Sequence, residues 1–140
     1  MAILAAVDGD TAHDGVATVG ADLAAAYDDE LVLLSVMTEA EFDERWREDD
    51  QFNAETATEA ATARARTVRS RTLDEDSEAT ARGRVGEPAE EIIAEADRLD
   101  ARYVVVGGRK RSPTGKALFG STTQEVLLSA DRPVVATLSG

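Results

Sequence analysis

The sequence predicts an α/β fold: a single three-layer α/β/α domain, residues 1–140, built on a five-stranded parallel sheet. Two observations support this prediction. Four short apolar runs rich in Val, Leu and Ala, and one weakly alternating run at 78–85, are separated by stretches whose apolar residues recur every three or four positions. The resulting order, β-α-β-α-β-α-β-α-β, favours right-handed crossovers with helices on both faces of a parallel sheet. A length of 140 residues suits one domain.

The N-terminal part contains two runs that suit strands covered on both faces. Ala2–Val7 is apolar without alternation and is followed by Asp8, and Leu31–Met37 is a second such run. Between them, Thr11 is a plausible N-cap for a helix that extends to about Tyr27. We therefore expect Asp8 to lie at the carboxyl end of the first strand.

The middle of the chain changes character twice. Thr38–Gln51 is crowded with acidic residues and is expected to form a partly helical surface segment. It lacks the regular Asp/Asn–Gly loop of a calcium site, so we interpret it as a solvated face. Phe52–Leu73 is predicted to be a helix that packs through small residues, and Glu78–Val85 a strand.

The C-terminal part completes the alternation. Pro88 stands where a helix begins, and a compact apolar stripe runs from Ala89 to Leu99. Tyr103–Val106 is predicted to be the fourth strand, Phe119–Ala130 a helix and Pro133–Leu138 the last strand.

Glycines and cations follow the fourth strand. That strand ends at Gly107, continues into a basic loop at 109–111 and reaches Gly120, Ser121 and Thr122 at the start of the next helix. Glycine lets the backbone approach a ligand, and a helix N-terminus offers free N–H groups and partial positive charge. In a chain of net charge −13, three consecutive cations point to an anion site, for which a nucleotide is the preferred ligand.

Each of these features also has a purely structural interpretation. The glycines suit a tight exit from the strand, and Ser121 and Thr122 suit ordinary helix N-caps. Asp8 is equally suited to capping a turn, and the cations to pairing with surface carboxylates. The sequence leaves these alternatives open.

Composition excludes several classes of function. The chain has no cysteine and one histidine, which excludes disulfides and makes a transition-metal site implausible. Its 28 acidic residues against 15 basic ones repel nucleic acid and anionic membranes. No apolar run approaches the roughly 20 residues of a membrane span, and we expect a soluble, cytoplasmic protein. The acid-rich, lysine-poor composition resembles that of proteins from halophiles, and we expect a halophilic archaeal source.

The chain resembles the universal stress protein family along essentially its whole length. The resemblance rests on AILAAVDGD at the start, LLSVM in the second strand, GEPAEEI after the third, and VVVGGRK with FGSTTQEVLLSADRPVV towards the end. It implies a Rossmann-like fold of the adenine nucleotide alpha hydrolase-like kind. ATP-binding members carry G-x2-G-x9-G-[S/T], in which Gly107, Gly120 and Ser121 match and Lys110 replaces the middle glycine.

The resemblance also implies roles by position. Asp8 and Val36 look like the residues that meet ribose and adenine, and Val106 to Gly107 with Gly120 to Thr122 look like the phosphate cradle. A lysine at 110 either blocks the approach of the backbone to phosphate or contacts phosphate as a point charge. The candidate ligand-binding residues are Ala6, Asp8, Val36, Val106, Gly107, Arg109, Lys110, Gly120, Ser121 and Thr122.

The first hypothesis for function is a module that binds ATP, with or without Mg²⁺, and acts as a dimeric regulator of the stress response. Family members dimerise, often through the last strand, here Val134–Leu138, whose edge is a template for pairing. The alternative, motivated by Lys110, is a dimeric stress protein that binds no nucleotide and acts through protein contacts. At most slow ATP hydrolysis is expected, because no activated nucleophile or general base is evident beyond Asp8.

Overall fold

The computed structural model describes residues 1–8, 14–111 and 116–139, with residues 109–111, 116–118 and 139 described through their backbone. The predicted elements are present, with one additional short strand directly after the fourth. The strands are β1 (Ala2–Ala6), β2 (Glu30–Met37), β3 (Thr80–Val85), β4 (Ala101–Arg111), β5 (Lys116–Leu118) and β6 (Val134–Ser139). The helices are α1 (Asp14–Tyr27), α2 (Glu39–Glu48), α3 (Ala54–Thr72), α4 (Pro88–Leu99) and α5 (Ser121–Ser129).

Five strands form a parallel sheet in the order β3-β2-β1-β4-β6. The register places Leu4 beside both Val32 and Val104, and Val104 beside Val134. This confirms the predicted α/β class and its five-stranded parallel sheet. The sixth strand, β5, is antiparallel to the last residues of β4 and forms a hairpin with them.

The core lies in two layers because side chains alternate along each strand. Ile3 and Leu33 pack on the side of α1 and α3, where Val16 joins them. Leu4 packs on the opposite side, where Ile92 of α4 covers the sheet. The small-residue face predicted for α3 is confirmed, since its buried positions are Ala57, Ala61, Ala65 and Val68.

The fourth strand is longer than predicted, and the prediction of a strand exit at Gly107 followed by a basic loop is wrong. Gly107 pairs with Thr137 of β6, and Gly108 pairs with Leu138. Residues 109–111 then pair with β5 in the hairpin. Pairing with β6 at the glycines, followed by pairing with β5 just beyond them, outweighs the tendency of glycine to end a strand.

Two predictions concern helices outside the sheet: the start of α1 and the acidic segment after β2. Thr11, the predicted N-cap of α1, lies outside the described residues. The acidic segment contains a ten-residue helix, α2, which begins after its N-cap Thr38 and buries no side chain. In the part of the chain that the structure describes, no helix combines the length and apolar character needed to span a membrane.

Candidate functional site

The carboxyl ends of β1, β2 and β4 open onto a cleft of about 720 Å³. Ala6, Val36 and Val106 supply its floor from the three strand ends. Ligands of open parallel sheets bind at this edge, beyond the carboxyl ends of the strands. The cleft is lined by Ala6, Val7, Asp8, Leu34, Val36, Thr38, Glu41, Arg64, Pro88, Ile92, Val106, Gly107, Gly108, Phe119, Gly120, Ser121, Thr122 and Thr123.

One wall of the cleft is the first turn of α5. Its N-cap is Gly120, which has no side chain to cap the helix, and the first intrahelical bond runs from the Gln124 N–H to the Gly120 carbonyl at 3.0 Å. The earlier N–H groups of this turn therefore have no partner within the helix. A Cβ atom added to Gly120 would meet no atom within 4 Å. The wall is thus open at Gly120 and carries the partial positive charge of a helix start.

Thr123 fastens this wall to the floor. Its hydroxyl donates a hydrogen bond of 2.8 Å to the carbonyl oxygen of Gly107, and its side chain is only 8% exposed. The bond joins α5 to β4 at the edge of the cleft. Because Thr123 comes directly after Ser121 and Thr122, we expect it to fix the position of their backbone N–H groups.

The opposite wall is built by α2 and α3. Thr38 caps α2 by accepting a bond of 3.1 Å from the Glu41 N–H, and both residues line the cleft. The carboxylate of Glu41 accepts from Arg64 of α3, with both oxygens 2.8 Å from Nη2. This pair joins the two helices at the cleft, and with Asp8 it supplies the charged side chains of the described lining.

Eight of the ten predicted ligand-binding residues lie around this one cleft. They are Ala6, Asp8, Val36, Val106, Gly107, Gly120, Ser121 and Thr122. Arg109 and Lys110 belong to β4 and not to a loop, because their backbone pairs with that of Leu118 and Ala117 in β5. Their side chains lie outside the described part of the structure, so their roles toward a ligand stay predictions.

Sequence reasoning missed four polar residues of the lining: Thr38, Glu41, Arg64 and Thr123. Thr38 directly follows β2, so its position at a strand end was a usable signal. Thr123 belongs to the same Gly-Ser-Thr-Thr run as the predicted residues, and its inward direction follows from helical spacing. Glu41 and Arg64 meet across 23 positions of sequence, and no local pattern indicates that contact.

The arrangement can hold an elongated anion, with its charged end at α5 and an apolar portion near Val36 and Ile92. Within the described ranges, no three His, Cys, Asp or Glu side chains are grouped so that they could hold a metal ion.

Comparisons with known proteins agree with this architecture. A universal stress protein of Mycolicibacterium smegmatis is 45% identical over 47 residues, which are 34% of this chain and 36% of that protein. The chain spans about a third of the length of the curated relatives it matches.

Three solved structures are similar over almost the whole chain. The universal stress protein of Archaeoglobus fulgidus is 29% identical, with 97% of each chain covered and a TM-score of 0.59. A universal stress protein of Archaeoglobus fulgidus in complex with dAMP is 24% identical, with 97% of this chain and 96% of that chain covered and a TM-score of 0.55. A universal stress protein in complex with cAMP is 20% identical, covers 100% of this chain and 98% of that one, and has a TM-score of 0.62.

The family model described as the universal stress protein family matches residues 1–137, which is nearly the whole sequence. Together with the parallel sheet and the cleft at its carboxyl edge, this match shows that the chain belongs to the universal stress protein family.

Proposed function

We propose that this protein binds an adenine nucleotide, ATP, in the cleft and acts as a dimeric regulator of the stress response. The observation that carries the proposal is the first turn of α5, which meets the cleft at a glycine with open space around it. Related structures named as complexes with cAMP and dAMP support an adenine nucleotide as the ligand class. The proposal treats residues 1–140 as one domain that works in the cytoplasm.

The two walls suit different parts of a nucleotide. The phosphates would lie at Gly120, Ser121 and Thr122, where backbone N–H groups lack helical partners. The base and ribose would lie toward Val36 and Asp8, at the ends of β2 and β1. Arg109 and Lys110 would add positive charge from the strand beside the phosphates. Mg²⁺, when present, would be held mainly by the phosphates, as is usual for this ion.

The test is calorimetric titration of the protein with ATP and Mg²⁺ in high salt, with Gly120→Val as the variant. Valine accepts the extended backbone of Gly120 (φ −65°, ψ 169°), and its Cβ meets no protein atom, so we expect the fold to be retained. The branched side chain would occupy the place proposed for phosphate, so binding should be lost. Ser129→Val places the same side chain at the far end of α5 and should bind ATP as the wild type does.

Two results would contradict this proposal. If ATP produces neither binding heat nor a thermal shift with wild-type protein, the protein does not bind the nucleotide. Unchanged affinity in Gly120→Val would place the phosphates elsewhere. Native mass spectrometry of freshly purified protein supplies a second readout, because a copurified adenine nucleotide adds a defined mass.

We propose that the dimer forms through β6. No described strand pairs with the outer edge of β6, and Leu138 on this strand is 40% exposed. On the neighbouring helix α5, Leu127 and Leu128 are 41% and 83% exposed. Burial of these leucines between two copies would stabilise the pairing of the edge strands. Sedimentation should show a dimer that Leu138→Arg dissociates, and a monomeric wild type would contradict this part of the proposal.

The second candidate function is a dimer that signals through protein contacts without nucleotide. The replacement of the motif glycine by Lys110 favours it. This candidate predicts a dimer in sedimentation and no binding heat when ATP is titrated, and the missing heat distinguishes it from the first.

A further inference from the structure

Trp46 is the only tryptophan of the chain, and it lies on the surface. It belongs to α2, a helix that buries none of its side chains, and it is 53% exposed. Large aromatic side chains bury much of their surface in most folds, and tryptophan is enriched where protein partners bind. The exposed position of Trp46 is therefore not explained by packing within the domain, and binding of a partner would explain it.

The rings of Tyr27 and Phe52 already have cationic partners. The guanidinium carbon of Arg102 lies 4.4 Å from the ring centre of Tyr27, and that of Arg45 lies 5.8 Å from the ring centre of Phe52. Within the part of the chain that the structure describes, neither a cation nor a ring stacks on Trp46. The indole face is thus available to a group from another molecule.

The surroundings of Trp46 are strongly acidic. Glu39 and Asp43 precede it by seven and three positions, so they share its side of the helix, and both are exposed. Asp49 and Asp50 follow directly after the helix end and are also exposed. From residue 39 to residue 50 the chain carries seven carboxylates and two guanidinium groups.

Two neighbouring side chains attach α2 to the rest of the protein. Glu41 accepts from Arg64 of α3 at 2.8 Å to both oxygens. Phe42 packs on Phe52 with ring centres 5.5 Å apart. These contacts fix the orientation of α2, so the face that bears Trp46 is held outward before any partner arrives.

We propose that the exposed face of α2 formed by Glu39, Asp43 and Trp46, called here the Trp46 face, is a docking surface for a protein with an arginine-rich segment. A guanidinium group would stack on the indole while neighbouring cations meet the carboxylates. Charge disfavours other occupants of this face: a chain of net charge −13 repels nucleic acid and anionic membranes, and the same acidic face of a second copy would meet it with like charges. The inference does not require nucleotide in the cleft.

The test uses the full chain and the fluorescence of its single tryptophan. The protein is titrated with a nona-arginine peptide and, separately, with a nona-lysine peptide. Both should bind by charge, but arginine stacks better on indole, so we expect nona-arginine to bind several-fold more tightly and to change the emission of Trp46. Added salt should weaken both interactions, because exposed charges are screened.

Variants separate stacking on Trp46 from general attraction to an acidic protein. Measured by calorimetry, Trp46→Ala should weaken nona-arginine binding about tenfold and remove the preference for arginine over lysine. The double variant Glu39→Gln/Asp43→Asn should weaken binding more than the control Asp74→Asn/Asp76→Asn. The control also neutralises two exposed carboxylates, but just after the C-terminal end of α3 and not on α2. Circular dichroism checks the fold, which is expected to persist because every substituted side chain is exposed.

Three results would overturn the inference. The first is wild-type and Trp46→Ala protein that bind nona-arginine equally well. The second is equal loss in the two charge-neutralised variants, which would show attraction to net charge alone. The third is tighter binding to DNA or to anionic vesicles than to the peptide.

Discussion

Replacement of Gly83 by alanine is expected to destabilise the fold strongly, because α3 rests directly on the backbone of β3 at this point. A Cβ atom on Gly83 would lie 2.3 Å from the Thr62 nitrogen, 2.5 Å from the Thr58 carbonyl oxygen and 2.7 Å from the Thr62 hydroxyl. Two of these three atoms belong to the backbone of α3, so rotation of a side chain cannot relieve the contact. Buried alanines on the same helix, Ala57, Ala61 and Ala65, permit this close approach.

The size of the effect follows from the displacement that the new methyl group requires. To bring the 2.3 Å contact to an ordinary 3.4 Å, α3 must move away from β3 by 3.4 − 2.3 = 1.1 Å at Thr62. Overpacking of a rigid site costs about 1–3 kcal/mol, and a backbone obstacle favours the upper end, about 3 kcal/mol. For a domain of this size, that lowers the Tm by roughly 10 °C.

The assay is thermal unfolding followed by circular dichroism at fixed salt, with Gly15→Ala as the matched control. In α1, a Cβ on Gly15 meets only the Thr137 hydroxyl, at 4.0 Å. Alanine also favours helix over glycine, so the control should keep its stability or gain up to about 1 kcal/mol. If Gly83→Ala melts within about 2 °C of the wild type, α3 does not rest on β3 as described and the reasoning fails.

Three further predictions concern single polar groups. Ser35 is fully buried and its hydroxyl has no hydrogen-bond partner in the described structure, so Ser35→Ala should raise the free energy of unfolding in urea by up to about 1 kcal/mol. Thr123→Val, which removes the bonded hydroxyl, should instead lower it by about 1–2 kcal/mol and leave the Gly107 carbonyl without its partner; a loss in Ser35→Ala equal to that in Thr123→Val would contradict both assignments. Hydrogen bonds from Arg98, with two further arginines nearby, hold the pKa of the buried Glu95 below its ordinary value of 4.5. The stability that its charge contributes is present above pH 4.5 and is lost as the pH falls through the lowered pKa. Glu95→Gln should therefore lower the free energy of unfolding at pH 7 by about 3 kcal/mol and approach the wild type in acid, and a constant difference across pH would contradict this.

The strands and the edge of the sheet that carries the cleft could be predicted from sequence, because both depend on local patterns. A short, continuous apolar run such as the one containing Leu33 is typical of a strand covered on both faces. Parallel strands joined by helices bring all their carboxyl ends to one edge, so Asp8, Val36 and Gly107 are predicted to meet there. Their convergence around one cleft needed no knowledge of side-chain contacts.

The second wall of the cleft could not be predicted, since it depends on how two helices cross above the sheet. Glu41 was counted among the residues of a solvated acidic segment, and Arg64 among the residues of a packing helix. Their contact arises only because α3 rests against β3, which in turn depends on Gly83 having no side chain. Tertiary packing thus decided the roles of residues whose local sequence indicated only solvent exposure.

Lys110 shows that a mismatch to a motif does not by itself indicate a different backbone structure. A glycine in a motif suggests a backbone conformation or a close approach that other residues cannot adopt. Here residue 110 lies in an extended strand paired with Ala117, a conformation open to any residue except proline. The lysine therefore leaves the course of β4 and the position of Gly107 intact. We therefore expect phosphate binding to depend on the space at Gly120, and the decisive substitution is placed there.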